Sequence, residues 1–121
     1  MTYDLAVWEG QRPSSDQEAG AVHEKMYDQY IEMAYGTSPT PLIVQFVETL
    51  LQRWPDVSSG SDEDEDDTPW AAGPLIKEAS GPYMYFALSW SRAEEASAFA
   101  AQVAKQLGLV CFDPQMRALR T

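Results

Sequence analysis

The sequence has a single cysteine, Cys111, and a single histidine, His23. One cysteine cannot form an internal disulfide, so the fold must be stable without a covalent cross-link. One histidine and one cysteine also provide no His–His pair and no set of zinc ligands. We therefore expect no metal site and no cofactor. His23 is expected in a structural or exposed position, and Cys111 as a small buried apolar residue.

Positive charge is scarce as well. The chain has 8 Lys and Arg against 19 Asp and Glu, which gives a formal net charge of −11 at pH 7. Such a surface repels nucleic acid and anionic membranes, and it attracts basic partners. Tyr83 and Tyr85 alternate along a strand-like stretch, in the manner of the aromatics on which RNA-recognition modules stack bases. The charge nevertheless predicts no nucleic-acid partner, and leaves these tyrosines as half-buried strand residues.

Long apolar runs and catalytic motifs are missing too. No apolar stretch approaches the roughly 20 residues that a membrane span requires, and residues 1–4 lack the features of a signal peptide. The expectation is a cytoplasmic protein. There is no Gly-x-Ser-x-Gly elbow and no glycine-rich phosphate loop. We identify no catalytic residue and predict that the protein is not an enzyme.

The strongest structural signal is the stretch 80–90, which predicts a central strand that follows a turn at Ser80-Gly81-Pro82. Because successive strand side chains point to opposite faces, one face is expected to join the core and the other to be half-polar. The predicted core face carries Met84, Phe86, Leu88 and Trp90, and the other face carries Tyr83, Tyr85, Ala87 and Ser89.

Helix and strand signals elsewhere complete an α+β order, β-α-α-β-β-α-β, over one domain spanning residues 1–121. We interpret this order as a variant of the ferredoxin-like split βαβ fold. It predicts a four-stranded antiparallel sheet in the order 4-1-3-2, with all helices on one face. The other predicted elements are a strand at 3–8, a helix from a Ser15 capping box to about Tyr35, a helix from Thr40 to Pro55, an edge strand at 74–79, a helix from a Ser91 capping box to Gly108, and a strand at 109–113.

Between the second helix and the second strand lies a segment, about 57–69, with the composition of a flexible loop. It contains six consecutive acidic residues, which repel one another and cannot enter a core. The run lacks the Gly and Glu that an EF-hand needs at its sixth and twelfth positions. It is therefore either a solvated loop or a docking surface for a cationic partner, flanked by aromatic residues that could act as hot spots. The predicted partner-binding residues are Asp62, Glu63, Asp64, Glu65, Asp66, Asp67, Trp54 and Trp70.

Four motifs carry a resemblance to known proteins. These are Tyr-Asp-Leu-Ala-Val-Trp-Glu-Gly (3–10), Leu-x-Arg-Trp-Pro-Asp (51–56), Pro-Trp-Ala-x-Gly-Pro-Leu (69–75) and Ser-Arg-Ala-Glu-Glu-Ala (91–96). In these motifs the chain resembles a group of small bacterial proteins of uncharacterised function. In type, as a small acidic α+β protein, it is similar to the immunity proteins of contact-dependent inhibition and other polymorphic toxin systems.

The second resemblance implies an immunity protein that binds and neutralises a cognate basic toxin, in particular a nuclease. A nuclease must be basic to hold its substrate, and dense carboxylates can occupy that same surface with fast, electrostatically steered association. The alternative is a non-enzymatic self-associating adaptor or regulatory protein that uses its sheet face or edge strand, with a homo-oligomer as one form of that self-association. A ferredoxin-like domain that binds a small molecule in an apolar pocket is a third hypothesis.

Overall fold

The computed structural model describes residues 2–56, 68–71 and 73–120. Within these ranges the chain forms three α-helices and a five-stranded antiparallel sheet, so the predicted α+β class is confirmed. The elements in chain order are β1 (Thr2–Trp8), α1 (Asp16–Tyr27), a π-helix (Asp28–Met33), α2 (Pro41–Arg53), a 3₁₀ helix (Leu75–Glu78), β2 (Ala79–Ser80), β3 (Tyr83–Ser89), a second 3₁₀ helix (Trp90–Arg92), α3 (Ala93–Gln106), β4 (Val110–Asp113) and β5 (Ala118–Leu119).

The strands lie in the order β2-β3-β1-β4-β5. Strand β1 is central and pairs with β3 along its whole length, from Thr2 opposite Ser89 to Trp8 opposite Tyr83. The prediction of four strands was incomplete, because β5 adds a fifth strand beyond β4. With only two residues, β5 is too short to show the alternation by which a strand is recognised in a sequence.

Helices cover both faces of the sheet, so the prediction that all helices lie on one face was wrong. Leu5 and Val7 of β1 belong to a large core that includes residues of α2 and α3. Ala6 and Trp8, which point the other way, belong to a second core against which side chains of α1 pack. A strand that is apolar on both faces requires cover on both. The fold therefore departs from the simple ferredoxin-like arrangement by placing α1 on the opposite face.

Two of the three predicted helix starts are confirmed. The Ser15 hydroxyl accepts a hydrogen bond from the Glu18 amide at 3.1 Å, and the Thr40 hydroxyl accepts one from the Ile43 amide at 3.3 Å. Each satisfies a donor that the first turn of a helix leaves free. The Ser91 capping box was wrong, because Ser91 lies inside a 3₁₀ helix and α3 begins after Arg92 without a side-chain cap.

Other predicted boundaries also shift. The first helix ends at Tyr27 and continues as a π-helix to Met33, short of the predicted Tyr35. Most of the predicted edge strand at 74–79 is 3₁₀ helix, and the Leu75 amide donates to the Asp56 carboxylate at 3.0 Å. Strand β3 ends one residue before Trp90, and this side chain is 56% exposed instead of lying in the core.

Each outer strand is held by a neighbouring segment. Beside β2, the Gly81 amide donates to the Thr37 carbonyl and the Thr40 amide donates to the Gly81 carbonyl, both at 3.0 Å. Beside β5, the Leu119 amide donates to the Asp16 carboxylate at 3.0 Å. Part of each sheet edge is thereby occupied within the chain itself. Within the described ranges, every helix is too short or too polar to span a membrane.

Candidate functional site

The predicted contact residues fall into two groups. Asp62, Glu63, Asp64, Glu65, Asp66 and Asp67 lie outside the described residues, so their role stays a prediction. Trp54 and Trp70 are both buried, with exposed fractions of 9% and 2%. Thr68 and Pro69, the last residues of the predicted loop, are buried too.

Trp70 anchors the chain where it rejoins the sheet. Its ring packs edge-on against Trp54, with centroids 5.8 Å apart, and its Nε1 donates a hydrogen bond to the Trp54 carbonyl at 3.3 Å. The Arg53 guanidinium lies 4.5 Å from the centroid of the Trp54 ring. These contacts give both indoles a place in the core, and little of either surface is available to a partner.

A different set of residues comes together on the α1 face of the sheet, around His23. Its imidazole is half-buried and is stacked on Tyr85, with ring centroids 5.7 Å apart. The His23 Nδ1 and the Tyr83 hydroxyl are 2.9 Å apart and share a hydrogen bond. The aromatic rings with centroids within 6.4 Å of the imidazole are those of Trp8, Tyr27, Tyr83, Tyr85 and Phe112.

Burial sets the protonation of this cluster. It lowers the pKa of His23, although the neighbouring Glu24 carboxylate opposes part of that change. It raises the pKa of Tyr83 and of Tyr85, and Tyr85 also donates a hydrogen bond to the Asp4 carboxylate at 2.9 Å. At neutral pH the imidazole is therefore uncharged and both phenols keep their protons. His23, Tyr83 and Tyr85 therefore form a closely packed, uncharged aromatic surface.

Carboxylates line the exposed side of α1 and of the π-helix that continues it. Glu24, Asp28 and Glu32 follow one another at four-residue spacing, and all three are exposed. None of them forms a salt bridge with another described residue. Like charges at positions i and i+4 of a helix destabilise it by about 0.2–0.5 kcal/mol per pair. The arrangement of Glu24 and Asp28 thus costs helix stability instead of adding to it.

Rings and carboxylates meet in a cleft of about 340 Å³, which we call the tyrosine cleft; its described lining contains no Lys or Arg. The rings of Tyr27 and Tyr85 stand nearly perpendicular there, with centroids 5.4 Å apart and an interplanar angle of 77°. A neighbouring cleft of about 680 Å³, between α1 and the β4–β5 turn, shares two of its residues and adds Arg117. The tyrosine cleft is lined by His23, Glu24, Tyr27, Asp28 and Tyr85.

A second polar cluster surrounds Asp113, which is fully buried. Its carboxylate accepts hydrogen bonds from the Tyr3 hydroxyl and from Gln115 Nε2, the latter at 2.7 Å. Arg120 Nη1 lies 3.5 Å from the same carboxylate. These bonds tie β1 to the β4–β5 turn and satisfy a buried charge. We assign the Asp113 cluster a structural role.

Within residues 2–56, 68–71 and 73–120, no group of three or more His, Cys, Asp or Glu side chains is placed to hold a metal ion. Comparison of the chain with protein-family models, with curated proteins and with solved structures gave no match.

The tyrosine cleft was missed by sequence reasoning, although a signal for it was present. The alternation along 80–90 places Tyr83 and Tyr85 on one face of a strand, and the strand predicted at 3–8 is apolar on both faces, since Leu5 and Val7 alternate with Ala6 and Trp8. Together these two observations require an element that covers the tyrosine face. The first helix, with His23 and Tyr27 beside its main apolar stripe, was the element available.

Proposed function

We propose that this protein binds a basic protein partner with one-to-one stoichiometry and neutralises it by covering its positively charged surface. The observation that carries the proposal is the row of exposed carboxylates at Glu24, Asp28 and Glu32, unpaired within the described residues. The row lies on a chain whose formal net charge is −11. Carboxylates that weaken their own helix are explained when a cationic surface offsets their repulsion in a complex.

The partner class that fits best is a cationic toxin domain such as a nuclease, met in the cytoplasm. A protein that grips nucleic acid needs a basic surface. An acidic protein steers itself to that surface over long range and then excludes the substrate by occupying it. In this proposal one contact surface is the exposed row at Glu24, Asp28 and Glu32, called the α1 face from here on, and the acidic run at 62–67 remains a second proposed contact.

The competing hypothesis, a self-associating adaptor, has less support in the described residues. It requires an open sheet face or a free edge strand. Both faces of the sheet are covered by helices. The two outer strands, β2 and β5, are two residues long. In β2 the Ser80 hydroxyl accepts a hydrogen bond from the Thr37 amide, and in β5 the Leu119 amide donates one to the Asp16 carboxylate.

The test is a salt-dependent capture experiment with matched charge variants. Tagged wild-type protein captures partners from a lysate of the source cells at low and at high salt. The Glu24→Gln/Asp28→Asn variant loses two charges on the α1 face. The Glu48→Gln/Glu94→Gln variant loses two exposed charges on α2 and α3, so it serves as the control. Every captured protein is then purified and tested for a one-to-one complex by light scattering.

The proposal expects a basic partner whose own activity is suppressed in the complex. We expect its affinity to fall at least tenfold in the α1-face variant, which corresponds to about 1.4 kcal/mol, and less than about twofold in the control. Binding that does not depend on salt, equal losses in both variants, or a complex that leaves the partner fully active would each overturn the proposal.

A further inference from the structure

We infer that the tyrosine cleft receives a single arginine side chain of the basic partner. This inference deepens the proposed function, on which it rests, by naming the chemical group that the α1 face recognises. The cleft combines two exposed carboxylates with two tyrosine rings in about 340 Å³, a space that suits one long side chain. Its charge and its aromatic surface both select a cation.

The carboxylates of the cleft favour a cationic ligand. Glu24 and Asp28 are one helical turn apart on the exposed side of the helix, and both line the cleft. His23, which also lines the cleft, is uncharged at neutral pH because burial lowers its pKa. The cleft thus presents the two carboxylates of Glu24 and Asp28, and its described lining has no Lys or Arg. A guanidinium has five donors in a planar fork, so it can bond both carboxylates at once.

The arrangement of the tyrosine rings also favours a cationic ligand. The Tyr85 ring is held from two sides, by stacking on His23 at 5.7 Å between centroids and by its hydrogen bond to Asp4 at 2.9 Å. The Tyr27 ring stands across it at 77°. A surface that is rigid before binding loses little entropy when the ligand arrives. The face of an aromatic ring attracts a cation, and a planar guanidinium can also stack on it.

These two features favour arginine over lysine. A lysine ammonium is a compact, strongly hydrated charge that neither stacks nor bonds through a fork. The chain already uses the same contact internally, since the Arg53 guanidinium lies 4.5 Å from the centroid of the Trp54 ring and 4.8 Å from that of Phe99. In the tyrosine cleft the described lining offers rings and carboxylates without such a cation.

The test uses a small probe, so that it does not depend on the natural partner. Isotope-labelled protein is titrated at low salt with acetyl-Gly-Arg-Gly-amide, with the lysine analogue and with the uncharged citrulline analogue, up to about 50 mM. Amide shifts in two-dimensional NMR spectra report where each peptide binds. Glu24→Gln and Asp28→Asn are compared with Glu48→Gln, which removes an exposed charge from α2. Circular dichroism confirms that each variant is folded.

The expected result is saturable binding of the arginine peptide, with shifts that centre on His23, Tyr27 and Tyr85. Binding is expected to be at least threefold weaker for the lysine peptide and at least tenfold weaker for the citrulline peptide. Each cleft variant should weaken it severalfold, and Glu48→Gln should not. The inference is overturned if the arginine peptide does not bind, if its shifts centre elsewhere, if citrulline binds equally well, or if all three variants behave alike.

The outcomes separate the two proposals. An arginine peptide that fails to bind, together with a captured basic partner that depends on the α1 face, removes the arginine site and leaves the proposed function. A peptide that binds as expected, without any neutralised basic partner, removes the proposed function and leaves the arginine site.

Discussion

Replacing Trp70 and Trp90 in turn by alanine makes the same chemical change at two very different depths. Trp70 is 2% exposed and Trp90 is 56% exposed. A buried tryptophan removes about 200 Å² from water, which at about 25 cal/mol per Å² is worth about 5 kcal/mol. Large-to-small core substitutions of this kind cost about 3–5 kcal/mol when measured. We therefore expect Trp70→Ala to lower the free energy of unfolding by about 4 kcal/mol.

The loss of unfolding free energy should be larger at Trp70, which also makes a hydrogen bond, and smaller at Trp90, which is partly exposed. Trp70→Ala also removes the Nε1 hydrogen bond to the Trp54 carbonyl, worth about 1 kcal/mol. Trp90 buries less than half of its surface. It packs beside Tyr3, with ring centroids 5.9 Å apart, and water fills the space that its side chain leaves. Trp90→Ala should therefore cost at most about 2 kcal/mol.

Urea unfolding, followed by circular dichroism, measures both losses. For a chain of this size, Trp70→Ala should lower the melting temperature by about 10–25 °C. Trp70→Phe, which keeps a ring and loses only the hydrogen bond and some area, gives a measurable second value if the alanine variant does not fold. The reasoning is refuted if Trp70→Ala costs less than about 1 kcal/mol with an unchanged m-value, or if both alanine variants cost the same.

Three other predictions concern single residues. The pKa of His23 is lower in the folded chain than in the unfolded chain, so as the pH falls through about 6.5 the unfolded chain binds a proton that the folded chain does not yet bind. Stability should therefore fall as the pH drops from about 6.5 to the lower pKa of the folded chain, and His23→Gln should reduce that slope in urea titrations. An unchanged slope would contradict the assignment. Burial raises the pKa of Cys111 to about 12, so iodoacetamide should label it only after unfolding, and rapid labelling of the native protein would show that this thiol is accessible. Gly81 has a φ of 58°, and a Cβ there would lie 2.9 Å from the Tyr30 ring. Gly81→Ala should therefore lower the free energy of unfolding by about 1–3 kcal/mol in thermal melts. The loss should exceed that of Gly36→Ala, at a φ of 87° with no atom nearby, and equal losses would rule out the clash.

Local signals in the sequence were sufficient to predict local structure. The caps at Ser15 and Thr40 depend on residues no more than three positions away, and both are found. The start of α3 failed because the chain forms a 3₁₀ helix at Trp90–Arg92 before the α-helix begins. The 3₁₀ helix at Leu75–Glu78 begins beside Asp56, nineteen positions earlier in the chain. The periodicity of apolar residues does not reveal a contact between residues so far apart in the chain.

The candidate site was harder to predict because it is assembled from distant segments. Its rings come from β1, α1, β3 and β4, which meet only once α1 is placed on the correct face. Sequence reasoning placed the contact at the acidic run 62–67 and at Trp54 and Trp70, which flank it. Both indoles are used by the core instead. Composition directed attention to carboxylates beside aromatic residues, and it does not identify a helix that carries such a pair.

The unequal size of the two cores on either side of the sheet has a consequence for local opening. The α-helical part of α1 buries only Ala19 completely, whereas α2 buries Ile43 and three other apolar side chains. Local opening requires the least free energy where the least apolar surface is lost. The amides of α1 should therefore exchange with deuterium faster than those of α2, through a partial opening that leaves the larger core intact. A ligand that binds only the closed layer slows this exchange in proportion to its occupancy, so the exchange rate of α1 becomes a direct sensor of binding at the tyrosine cleft.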